Sequence, residues 1–84
     1  MKITIKYFSW IRVKLKKGSE TFNFEDNTTF KKARETLIKN HPIFLEIFND
    51  PSIKFFLNLT EIDDNEMILQ DGDVLALLPP VTGG

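Results

Sequence analysis

Lys2-Ile3-Thr4-Ile5-Lys6-Tyr7-Phe8 alternates polar and apolar side chains with a period of two, the spacing of a half-buried strand. Ile3, Ile5 and Tyr7 are expected to face a core, with Lys2, Thr4 and Lys6 turned to solvent. A polar, basic stretch through Lys14, Lys16 and Lys17 leads to the turn residues Gly18-Ser19. Residues 21–25 alternate again, which predicts a second strand hairpinned to the first. Period 3.6 then takes over. Thr29 reads as an N-cap, and Phe30, Ala33, Leu37 and Ile38 follow at helical spacing while Lys31, Lys32, Glu35 and Lys39 point away. Pro42 ends this helix, because it disfavours α geometry in the residue before it.

Residues 43–48, IFLEIF, read as a short second helix, with a strand as the alternative for so short an apolar run. Asn49-Asp50-Pro51 is a turn. Residues 53–59 predict a strand with Ile53, Phe55 and Leu57 inward, which leaves Phe56 outward with Lys54 and Asn58. An acidic loop, 61–66, leads through Met67-Ile68-Leu69 to the tight turn Asp71-Gly72-Asp73, where glycine supplies backbone freedom and aspartate bonds nearby amides. Val74-Leu75-Ala76-Leu77-Leu78 is an apolar run of strand length. The order β-β-α-β-β predicts an α+β fold, with one main helix laid across a sheet.

The chain has 84 residues and no cysteine. That length allows one domain around one core, and without cysteine there is no disulfide, thiolate metal site or cysteine nucleophile. No signal peptide or membrane-length apolar run is apparent, so a cytoplasmic location is expected. The net charge of −1 argues against a general nucleic-acid binder. It conceals an asymmetry: residues 1–41 carry ten Lys and Arg against four acids, and residues 42–84 one Lys against eight. An acidic half could steer docking onto a basic partner. Alternatively, pairing of the first and last strands would set Lys2 and Lys6 near Asp71 and Asp73.

Self-contained catalytic chemistry is not indicated. No phosphate-cradling glycine loop, His-Glu metal pattern or nucleophile elbow occurs. His41, the only histidine, suits a helix C-terminus. Asp63-Asp64 is a pair of carboxylates in a polar loop, where hydration is the ordinary state. Trp10 either anchors a partner or closes the rim of the core.

The ending is the chemically distinctive part. Pro79-Pro80 cannot donate to a sheet ladder and must stop the last strand. PPVTGG then divides the chain into a domain over 1–78 and an extended tail over 79–84. Pro79 and Pro80 stiffen the base of this tail, Val81 and Thr82 extend it, and Gly83-Gly84 has no Cβ to obstruct entry into a narrow channel. Over these residues the tail reaches roughly 20 Å, enough to deliver the carboxylate of Gly84 into another protein's active site.

DGDVLALLPPVTGG resembles the ending of the small subunit of molybdopterin synthase, a MoaD-type sulfur carrier with a ubiquitin-like β-grasp fold. The opening MKITIKYFSWIR and the helix from Thr29 to Pro42 are loosely similar as well. The resemblance implies a β-grasp mixed sheet with a flexible C-terminal tail. It further implies that Gly84 is adenylated by an E1-like activating enzyme and converted to a thiocarboxylate. The sulfur would pass to a pterin precursor held by the large synthase subunit. The carrier would bind no cofactor itself, the activating enzyme would use ATP, and the domain alone would not be an enzyme. One departure is Val74, where this family more often has an acidic residue. A related carrier for thiamine or tRNA sulfur, a protein modifier joined through Gly84, and an inert interaction module are the alternatives.

Alternation in the last strand puts Leu75 and Leu77 on one face, and Val74, Ala76 and Leu78 on the other. With the outward Phe56 on a neighbouring strand, the second set is expected to form an apolar docking patch for the activating enzyme and the synthase partner. The competing arrangement has the 43–48 helix covering this face.

Overall fold

The structure, a computed structural model, describes residues 1–80. Along the chain run β1 (Lys2–Tyr7), α1 (Ser9–Leu15), β2 (Ser19–Asn23), α2 (Phe30–Asn40), α3 (Ile43–Asn49), β3 (Lys54–Leu57), β4 (Thr60–Ile62) and β5 (Val74–Leu78). The strands form one mixed sheet in the order β2-β1-β5-β3-β4. β1 and β2 are antiparallel, with Ile3 opposite Phe22, and β1 and β5 are parallel, with Ile5 opposite Leu75. This is the β-grasp architecture expected from the sequence.

All three helices of the described residues bury apolar side chains against one face of the sheet, although Val13 of α1 and Leu45 of α3 stay exposed. Ile5, Tyr7, Leu75 and Leu77 from β1 and β5 join Ile11 of α1, Phe30 and Leu37 of α2, and Phe44 and Ile47 of α3, each no more than 1% exposed. Aromatic rings fill much of this layer. Phe30 meets Phe55 edge-on at 5.6 Å, and Phe44 stacks on Phe48 at 5.8 Å between centroids. Fully burying side chains of this size contributes roughly 1.5–3 kcal/mol apiece, the main favourable term for so small a domain.

α2 starts as its sequence dictates: the Thr29 hydroxyl accepts the Lys32 N–H at 3.1 Å, a cap worth about 1 kcal/mol. His41 is its C-cap and sets its ring edge-on to Phe22 and Phe44. The 43–48 segment is helical, and it packs on the core face rather than the opposite one.

Three expectations need correction. The basic stretch after β1 is not a simple hairpin connection, because Ser9–Leu15 forms α1 and tucks Ile11 into the core. Trp10 and Leu15 pack beside it as half-buried rim residues. The strand expected over 53–59 ends at Leu57, since Asn58 and Leu59 both take positive φ, 49° and 74°, and reverse the chain. Part of the acidic loop is therefore a strand, β4, antiparallel to β3 with Ile62 opposite Phe55. Three residues give too short an alternation to be read as a strand.

Tyr7 is buried, and its hydroxyl donates to the Glu20 carboxylate at 3.0 Å. Burial first, then this carboxylate, push its pKa far above the ordinary 10.0. A raised pKa means that the contribution of the neutral phenol to stability is complete below about pH 10 and is lost as pH rises beyond it. We expect the melting temperature of the wild type to fall above about pH 10 more steeply than that of Tyr7→Phe; equal slopes in thermal scans would show that Tyr7 does not govern alkaline stability.

Candidate functional site

The site is built around β5. It is central, paired in parallel with β1 and antiparallel with β3, so both of its edges are occupied. Leu75 and Leu77 point into the core at 1% and 0% exposure. Val74, Ala76 and Leu78 therefore occupy the opposite face, which no helix of the described residues covers. Phe56 lies directly across from Ala76 on β3 and shares that face. The structure thus brings together all four residues expected to form a patch.

They line a groove of about 630 Å³. Four other residues complete it: Phe8 and Leu59 extend its apolar surface, and Lys6 and Asn58 stand at its rim. Phe8 continues the outward series Lys2, Thr4, Lys6 and was legible in that alternation. Leu59 carried no signal, because its position depends on the turn that the strand assignment missed.

The turn before β5 is tightly specified. Gly72 takes φ +88°, a conformation L side chains rarely adopt, although nothing crowds the place of its missing Cβ. Its N–H reaches the Lys2 carbonyl at 2.8 Å. Asp71 accepts the backbone N–H of Lys2 at 2.6 Å, and Asp73 accepts the N–H of Gln70 and the side-chain amide of Asn58. The Asn58 side-chain oxygen accepts the Val74 N–H at 2.9 Å. The expected proximity of β1 to this turn is therefore present, but the carboxylates serve backbone and amide donors. Among the described residues the ion pairs are the N-terminus with Asp26 and Lys17 with Glu20.

At the far end of β5, Pro79 is buried and Pro80 exposed. Val81, Thr82, Gly83 and Gly84 lie outside the described residues. Neither His41 nor Asp63-Asp64 joins a site: no cluster of three His, Asp or Glu suited to a metal occurs among the described residues. No helix there is long and apolar enough to cross a membrane.

The β-grasp core has counterparts among known proteins. The family model described as ThiS family matches residues 5–84. The chain belongs to the ThiS family. Its members are ubiquitin-like sulfur carriers. No curated protein sequence matches the chain. Among solved structures, this ThiS-family chain is similar to the complex of subunits 1 and 2 of molybdopterin-converting factor from Helicobacter pylori 26695. The identity is 28% over 100% of both chains, with a TM-score of 0.69. It is also similar to SAMP1 from Haloferax volcanii, 24% identical over 100% of both chains with a TM-score of 0.81. The BexX/CysO complex of Amycolatopsis orientalis gives 19% identity over 98% of this chain and 99% of that one, with a TM-score of 0.69. The last two likenesses concern the fold.

Phe55 and Phe56 are adjacent in sequence and on opposite faces of β3, which makes a direct test. Phe55→Asp should unfold the domain, because the charge enters the Phe30–Phe48 layer. Phe56→Asp should remain folded and lose no more than about 2 kcal/mol, despite Glu61 lying opposite it. Urea denaturation followed by circular dichroism decides this, and an unfolded Phe56→Asp protein would contradict an open face.

Proposed function

We propose that this ThiS-family chain is the small, sulfur-donating subunit of a molybdopterin synthase. The observation that carries this reading is the likeness, along both full lengths, to a molybdopterin-converting factor in complex between its subunits 1 and 2. The ending DGDVLALLPPVTGG supports it from the sequence. The partners on this reading are the large synthase subunit and an E1-like adenylating enzyme, and the cytoplasm is where they meet.

A carboxylate is a poor electrophile, because resonance and negative charge both oppose an incoming sulfur nucleophile. ATP consumed by the activating enzyme converts the Gly84 carboxylate to an acyl-adenylate with release of pyrophosphate. A sulfur nucleophile displaces AMP and leaves the thiocarboxylate. In the acceptor step the roles reverse: the terminal sulfur attacks an activated carbon of the pterin precursor and displaces that carbon's leaving group. Water then cleaves the acyl–sulfur bond, which leaves the sulfur on the precursor and restores the Gly84 carboxylate. The carrier supplies positioning, the effect that dominates when two reactants are held in one site. Phe56, Val74, Ala76 and Leu78 would dock the domain, while Pro79, Pro80, Val81, Thr82 and Gly83 would carry Gly84 into the partner's channel.

The same fold serves a SAMP1 protein, so conjugation of Gly84 to lysines is the second reading. The two diverge in their acceptor. A carrier loses its sulfur to a small molecule and stays monomeric in mass, whereas a modifier gains a protein adduct.

Deleting Gly84, or adding one residue after it, should abolish sulfur transfer and leave the melting temperature unchanged, since both changes fall beyond the last core strand. Turnover and melting measured on the same preparations check this, and transfer by either variant would refute a terminal-carboxylate mechanism. Gly83→Phe should reduce adenylation and thiolation by at least about a hundredfold if the channel is close-fitting. Normal rates in that variant would mean that the channel is wide.

A further inference from the structure

Leu59 combines two unfavourable features at one position. It is 96% exposed, and its φ of 74° lies where a leucine side chain meets its own backbone. Asn58 before it, at φ 49°, tolerates that region, and glycine at position 59 would relieve both costs. The tip is nevertheless held firmly. Asn58 bonds Asp73 through its side-chain amide, accepts the Val74 N–H and donates its own N–H to the Val74 carbonyl at 2.8 Å. These bonds fix Leu59 at one end of the groove lined by Val74, Phe56, Ala76 and Leu78. An outlier held in place by its surroundings points to a use for it.

The groove is flanked by charge further along β5. Lys6 lies across from Ala76 on one side of β5, and Lys54 across from Leu78 on the other. Both are exposed, and among the described residues neither takes part in an ion pair. Lys2 lies on the same face of β1, and Glu61 faces outward on β4 opposite Phe56. The groove is therefore apolar at the hairpin tip and flanked by two cations, Lys6 beside the middle of β5 and Lys54 beside its last residue, which is roughly 13 Å from Val74 along the strand.

We propose that Leu59 is a selectivity anchor that enters an apolar pocket on a protein partner, and that carboxylates on the same partner surface meet Lys6 and Lys54. Lys54 lies at the end of β5 opposite Leu59 and Lys6 lies between them, so together the contacts fix the orientation of this sheet face on the partner. A hydrophobic anchor in a fully desolvated pocket supplies affinity, and the lysines supply orientation and salt-sensitive association. The inference rests on the reading of the chain as a sulfur carrier, but it concerns whichever of the two partners receives this face.

The test uses titration calorimetry of the full chain against the activating enzyme and the large synthase subunit of the same organism, at low and high salt. Leu59→Gly and Leu59→Asn suit the left-handed turn, so their melting temperatures should equal or exceed the wild type's. Their affinity should fall roughly tenfold or more. Lys6→Glu with Lys54→Glu should weaken binding at low salt and flatten its salt dependence. Wild-type binding to the activating enzyme but not the large subunit would defeat the molybdopterin reading alone. Unchanged affinity of both Leu59 variants for every partner that binds the wild type would overturn the anchor. An unchanged salt dependence in the double lysine variant would overturn the acidic partner surface. Wild-type self-association abolished by Leu59→Gly would put a second copy of this chain in the groove, and would also overturn the proposal.

Discussion

β5 hydrogen-bonds along both edges, to β1 in parallel and to β3 antiparallel, and this double pairing governs the rest of the molecule. A parallel neighbour cannot be reached by a short turn. The chain must therefore leave β1, complete β2, the helices and the β3–β4 hairpin, and return to lay its last strand in the middle of the sheet. Leu75 and Leu77 then become the centre of the core. A central strand followed by Pro79-Pro80 also has no ladder to continue, so the chain must leave the sheet there. The exit point is held by the most constrained strand of the fold.

The helices serve one face only, and this leaves the other with its apolar residues unmatched. Small soluble domains seldom leave such a surface without a use. Here the surface follows from alternation: a strand that contributes Leu75 and Leu77 to the core must turn Val74, Ala76 and Leu78 the other way. The residues that set this geometry are polar. Asp71 accepts the Lys2 N–H at the start of β1, Asp73 the Gln70 N–H within the turn, and Asn58 the Val74 N–H at the start of β5, so the two carboxylates serve backbone donors rather than lysine side chains.

How much of this was legible follows from the length of each signal. β1 alternates over seven residues, and α2 combines a threonine cap with four apolar positions at helical spacing; both were evident in the sequence. The open face was readable for the same reason, because the parity of β3 and β5 assigns Phe56, Val74, Ala76 and Leu78 without knowledge of the contacts. α1 was hidden because its one fully buried residue, Ile11, lies among basic residues that resemble a loop. β4 was hidden because the turn before it uses Asn58-Leu59, where hairpins of this kind ordinarily use Asn-Gly. A local rule was broken at Leu59, and the missed turn, the missed strand and the missed part of the groove all trace to that residue.

The central claim is that the glycine ending this chain carries sulfur to a small molecule. Intact mass spectrometry tests it after incubation with the activating enzyme, ATP and a sulfur source, and again after addition of the large subunit and pterin precursor. The account predicts replacement of one terminal oxygen by sulfur in the first stage, then return to the starting mass with appearance of molybdopterin in the second. A terminus that never gains sulfur, or that gains it and passes it only when another acceptor is supplied, would contradict it.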